Sequence, residues 1–175
     1  MSLSAFTALP AFSALPDGAR LWLLALVHPT EAATLAPEME ALMARWRHKG
    51  VQYQGAWALL ENRILAVAEP TLAAEPSGCA IDGMLRGVNQ LTSRLGLAVE
   101  DPQAVLVRLE DGIHAISRTD LEERLADGTL DGATPVLDLA LLTLGDLREG
   151  RLERPLAATW IGRKYKIQAP AVTGA

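Results

Sequence analysis

Cysteine is nearly absent from this chain: Cys79 is the single thiol in 175 residues. A lone thiol excludes an internal disulfide framework and any zinc site built on several thiolates. It also points to a reducing compartment, the cytoplasm. Aromatic residues make up only 5%, so the core must be largely aliphatic. His28, His48 and His114 are far apart and lack the paired spacing of a metal site. The aliphatic run at 21–27 falls far short of the roughly 20 residues that span a bilayer. No basic residue precedes Arg20, so no secretory leader is expected. Positive charge is in deficit, with 16 bases against 21 acids and a net charge of −5; nothing electrostatic favours nucleic acid or an anionic membrane. Gly-x-x-x-x-Gly-Lys-Ser/Thr, Gly-x-Gly-x-x-Gly and Gly-x-Ser-x-Gly are all missing, so no nucleotide cofactor and no hydrolase elbow is expected.

What is present suits a packed fold. Half of the residues are hydrophobic and 21% are charged, the balance of an ordinary globular protein. The length fits a single domain over 1–175. Residues 1–18, with Pro10, Pro16 and Gly18, read as an irregular lead-in that docks Phe6 and Phe12 on the body. Residues 19–27 are nearly all apolar, as in a strand covered on both faces. Leu35, Met39, Leu42, Met43 and Trp46 recur on one face of a helix within 31–48. Pro37 suits only a first helical turn. Arg45, Arg47, His48 and Lys49 fill the last turn before Gly50, where cations complement the dipole.

Strands at 53–60 and 64–68 flank a tight turn at Glu61-Asn62-Arg63. A loop at 71–76 leads to a long helix at 77–95, closed by Gly96. Strands at 104–109 and 113–117 flank Glu110-Asp111-Gly112, whose Asp-Gly pair is a strong hairpin signal. The order β-α-β-β-α-β predicts an α+β fold with a ferredoxin-like core over about 19–109: an antiparallel sheet with helices on one face. Thr119 and Glu122 form a capping box for a short helix to Ala126, stopped by Gly128. Thr134-Pro135-Val136 begins a further apolar stretch, and Thr143 with Asp146 marks a short helix ending at Gly150. Together these make a C-terminal hairpin-helix extension over about 110–160, followed by a tail at 163–175. The hairpin, short helix, Gly128-x-Leu130 and Thr134-x-Val136 pattern resembles the small GYF-type modules that bind proline-rich peptides. The aromatic cradle of those modules is missing, so their ligand is not implied.

Chemistry concentrates in Ser77-Gly78-Cys79-Ala80-Ile81-Asp82-Gly83. Ser77 suits an N-cap, which places Gly78, Cys79 and Ala80 in the first helical turn. Ile81, Met84, Leu85, Val88, Leu91 and Leu95 fall on one arc at 100° per residue. Cys79, Asp82, Gly83 and Arg86 fall on the opposite arc. Unpaired amides and the positive dipole end favour a thiolate or a bound anion there. Asp82 and Arg86, four apart, can neutralise each other, and Gly83 and Gly87 keep the face thin. The plain alternative is equally physical: a capped helix, a small apolar cysteine and glycines used for packing.

Ser77-Gly78-Cys79-Ala80-Ile81-Asp82 resembles the Ser-Gly-Cys-Ser-Ile-Asp signature of a family of small uncharacterised bacterial proteins, with Ala80 in place of the usual serine. The resemblance extends to Leu15-Pro16-x-Gly18-Ala19-Arg20-x-Trp22, Trp46-x-x-x-Gly50 and Leu156-Ala157-x-x-Thr159-Trp160. Some members carry the label ABC transporter ATPase, but this chain has neither the phosphate loop nor its lysine. The sequence thus supports a non-catalytic cytoplasmic binding domain. One alternative is a thiol-dependent enzyme or redox sensor in which His28 or His114 serves Cys79. Another is a site for an anion or small ligand formed by Ser77, Gly78, Asp82 and Arg86. Exposed edges of an antiparallel sheet also allow a homodimer.

Overall fold

Apolar residues from distant stretches of the chain meet in separate antiparallel sheets, flanked by helices, which makes the fold α+β. The computed structural model describes residues 9–74 and 77–168. In chain order the elements are β1 (Arg20–Ala25), α1 (Ala32–Arg45), β2 (Arg47–His48), β3 (Val51–Gln52), β4 (Ala56–Leu60), β5 (Ile64–Glu69), α2 (Thr71–Ala74) and α3 (Gly78–Arg94). There follow β6 (Val105–Leu109), β7 (Gly112–Ile116), α4 (Arg118–Ala126), β8 (Pro135–Leu137), α5 (Leu144–Arg148), β9 (Glu153–Pro155) and α6 (Trp160–Tyr165). The chain divides into two compact units, Met1–Glu100 with Leu139–Gly150, and Asp101–Asp138 with Arg151–Ala175. Among the described residues no helix is long and apolar enough to cross a membrane.

The first unit is built on a three-stranded sheet of order β1-β5-β4. Trp22 lies opposite Val67 and Leu24 opposite Leu65, while Trp57 and Leu59 flank the same two residues from β4. This face packs against α1 through Leu35, Met39 and Met43, and against α3 through Met84, Val88 and Leu91. Period two in the strands and period 3.6 in the helices meet in one core. The alternate residues Leu21, Ala25, Leu60, Ile64 and Ala66 are buried as well. A short 3-10 turn, Pro10–Phe12, touches β4 and buries Phe12. The amides of Leu144 and Gly145 bond to the carbonyls of Ala19 and Asp17. Arg148 pairs with Asp17 and donates to the carbonyls of Phe12 and Leu15 at 2.8 and 3.0 Å. These bonds tie residues 142–148 to the edge of β1 and to the segment that precedes it.

The fourth strand of the expected core does not join this sheet. Residues 105–109 form β6, which pairs with β7 and β8 in the second unit's sheet, ordered β7-β6-β8-β9. The outer edge of β1 instead carries isolated bridges from Leu26 to Val99 and from Arg20 to Thr143. Alternating apolar residues identify a strand but do not name its neighbour. The turn at Asp111-Gly112, with Gly112 at φ +136°, holds β6 to β7 locally.

Other local expectations shift by a turn. Pro37 lies inside α1, a full turn after its start. Ala33, whose carbonyl loses its donor to the proline, is exposed and can be solvated. The basic residues expected in the last turn of that helix instead leave it after Arg45. Arg47 and His48 pair with Gln52 and Val51 across a turn at Lys49 and Gly50, both with positive φ. The N-cap of α4 is Ser117, whose hydroxyl accepts from the Asp120 amide at 3.1 Å; Thr119 is already helical. The capping box of Thr143 and Asp146 forms as expected. In the second unit Val105, Val107, Ile116, Leu121, Val136 and Leu156 make the core. Residues 163–165, expected to open a tail, belong to α6, and Tyr165 and Ile167 pack on that core. Phe6 and the rest of the expected tail, 169–175, lie outside the described residues.

Candidate functional site

The start of α3 is fixed by its surroundings. Glu69, fully buried at the end of β5, accepts hydrogen bonds from the amides of Leu72 (2.7 Å) and Gln54 (3.3 Å) and so sets the exit of the chain from the sheet. Trp46, at the end of α1, donates its indole N–H to the Ala80 carbonyl at 3.0 Å. Its ring meets Trp22 edge-on and Tyr53 at a tilt, with centroids 5.9 and 5.3 Å apart. A buried tryptophan needs a hydrogen-bond partner, and here that need ties the two helices together.

The helical wheel is realised on its polar side and in part on its apolar side. Met84, Val88 and Leu91 are buried, Ile81, Leu85 and Leu95 are only partly so, and Ala80 is buried in addition. Gly78, Cys79, Asp82, Gly83 and Arg86 are exposed. Ser77 has the extended backbone of an N-cap, but its hydroxyl makes no capping bond; its carbonyl receives the Ala80 and Ile81 amides at 3.1 Å. Among the described residues no ion pair joins Asp82 to Arg86. The local charge cancellation expected from their spacing does not occur.

His28, one of the two histidines expected beside the thiol, does not take that place. Trp46, which holds the first turn of α3, packs on Trp22 near the start of β1. His28 is exposed beyond the other end of that strand, where the Thr30 amide bonds to the Asn62 carbonyl. His114 belongs to the second unit and bonds to Asp111 at 2.7 Å. Among the described residues no group of three or more His, Cys, Asp and Glu side chains is placed to hold a metal ion.

The polar arc continues into a groove of about 330 Å³ between α1 and α3, bordered by Glu38, Leu42, Arg45, Gly83, Arg86, Gln90 and Arg94 among others. The helices run antiparallel there: Arg94 near the end of α3 meets Glu38 in the first half of α1 at 2.6 Å. Arg45, at the end of α1, borders the groove together with Gly83 near the start of α3. The two glycines differ. A Cβ on Gly87 would lie 2.5 Å from Leu42 Cδ1, so helix packing accounts for it. A Cβ on Gly83 would meet nothing within 4 Å. Sequence reasoning found Arg86 and the glycines but missed Arg45, Arg94 and Glu38 as neighbours, because only the pairing of α1 with α3 brings them together.

No family model, no curated protein and no solved structure matches the chain. The site is therefore read from its own geometry.

Proposed function

We propose that the first unit is a binding domain without a catalytic step of its own, offering the polar arc of α3 to a ligand. The observation that carries this is Gly83. Glycine inside a helix costs about 1 kcal/mol relative to alanine, and packing among the described residues gives no reason for it. An open floor for a ligand does. The rival reading, a thiol enzyme or redox sensor built on Cys79, needs a general base within hydrogen-bond reach, and His28 lies beyond the far end of β1.

Iodoacetamide separates the two. Cys79 in the folded chain is expected to label at pH 7 no faster than glutathione, as suits an exposed but unassisted thiol. Labelling ten or more times faster would overturn the binding-domain reading in favour of the thiol enzyme.

The same proposal covers the finer architecture and setting. We read the first unit as a ferredoxin-like core whose fourth strand is reduced to the bridge at Val99; the all-antiparallel order β1-β5-β4 supports this. The Ser77–Asp82 signature supports membership of the small bacterial family, and the lone thiol supports a cytoplasmic setting. Homodimer formation would use the outer edge of β4, which carries no partner strand among the described residues.

A further inference from the structure

We propose that the groove between α1 and α3 seats a small molecule with a compact anionic group, a phosphate or a carboxylate, between Arg45 and Arg86 above Gly83. The inference rests on the reading of the α3 arc as a binding face and names what that face takes.

Three guanidiniums and one carboxylate border the groove. Arg94 is engaged by Glu38, whereas Arg45 and Arg86 have no hydrogen-bond or ion-pair partner among the described residues. A chain of net charge −5 has acids to spare for them, yet Asp82, one turn from Arg86, does not pair with it. Two unpaired guanidiniums on one groove repel each other, and an oxyanion relieves that repulsion while matching their planar donors. Gly83 leaves the space for it: a side chain there would project into the opening. Beyond the anion, Gln90 offers a neutral amide and the Glu38–Arg94 pair closes the far end. That end suits a hydroxyl-bearing body better than a second charge. Arg86 and Arg94, eight residues apart, are separated by about 12 Å of helix axis, so the ligand is small. The groove volume, near 330 Å³, is at the lower end of the range for small-molecule sites.

The test is a titration of the full chain with inorganic phosphate and, separately, with citrate, against chloride at matched ionic strength, followed by amide resonances and melting temperature. Either anion is expected to shift the Gly83 and Gly87 amides saturably and to raise the melting temperature above the chloride control. The stronger of the two identifies the anionic group. Arg45→Ala and Arg86→Ala should each weaken binding at least tenfold, with partial recovery in the lysine variants. Gly83→Ala should melt higher in chloride yet bind more weakly, a combination that a purely structural role for the glycine would not produce. The proposal is overturned if chloride reproduces the shifts, if the responding amides lie elsewhere, or if the arginine variants bind as the parent does. A hexaglutamate peptide binding more than tenfold tighter than both small anions would also overturn it, since the occupant would then be an acidic protein segment. None of these outcomes alters the iodoacetamide result, so the two readings fail separately.

Discussion

In the first unit β1 and β5 pair over six residues each, whereas β8 and β9 of the second pair over three. The long ladder fixes its own register. A slip of one residue would turn Trp22, Leu24, Leu65 and Val67 away from the helices. A three-residue ladder has less leverage, and beyond the five-residue ladder of β6 with β7 the second unit adds polar clips. Arg108 on β6 reaches Glu153 on β9 at 2.5 Å, and Arg154 reaches Asp138 at 3.4 Å. Asp131 accepts from the amides of Ala133 and Thr134, and Thr159 accepts from Gly162. Asp127 accepts from the Thr129 amide, and Thr129's hydroxyl and amide hold its carboxyl below the usual carboxylate range. Both units join an apolar core to side-chain-to-backbone bonds, and the short β8–β9 end of the second is where polar contacts stand in for ladder length.

The largest expected effect breaks the first unit where it is least apolar. Arg63 donates to the Leu26 carbonyl at 2.9 Å and to Glu100 at 2.8 Å, with side chains only 12% and 16% exposed. Arg63→Ala strands the carboxylate of a largely buried pair and should cost about 3–5 kcal/mol, measured by urea unfolding. A loss below about 1 kcal/mol would class the pair with exposed ones. In the second unit the matching insult is steric. A Cβ at Gly162 would lie 2.3 Å from the Leu156 carbonyl oxygen, and backbone does not swing aside. Gly162→Ala should cost about 3 kcal/mol, read as a lowered melting temperature; an unchanged value would show that the turn at 156–162 yields freely. The smallest effect compares two glycines on one helix. Gly83→Ala should stabilise by up to about 1 kcal/mol. Gly87→Ala should gain less, about 0.5 kcal/mol at most, because Leu42 must change its side-chain conformation. Equal gains would remove the distinction between a packing glycine and an open one.

The sequence makes visible what is local. The apolar side of α3, the apolar strand β1, the turn at Asn62 and the Asp111-Gly112 hairpin follow from spacing and turn chemistry, and each is present. The exposed placement of Cys79, Asp82 and Arg86 follows from the same wheel. What the sequence hides is pairing at a distance. Residues 105–109 look like the fourth strand of the first sheet because alternation is the same whichever strand lies alongside. Arg45 looks like an ordinary helix-end cation because its relation to Arg86 depends on two helices lying side by side. Ser117 and Thr119 are both good caps, and only the backbone of the preceding strand selects between them.

The segment Leu139–Gly150 belongs to the first unit although it follows most of the second in the chain. A ribosome therefore completes Glu100 well before it delivers Leu144 and Arg148. Through that interval the nascent first unit lacks the side chain that bonds Asp17, Phe12 and Leu15 and the strand-edge partner of Arg20. The first unit therefore reaches its full set of contacts only after the chain through Gly150 has been synthesised.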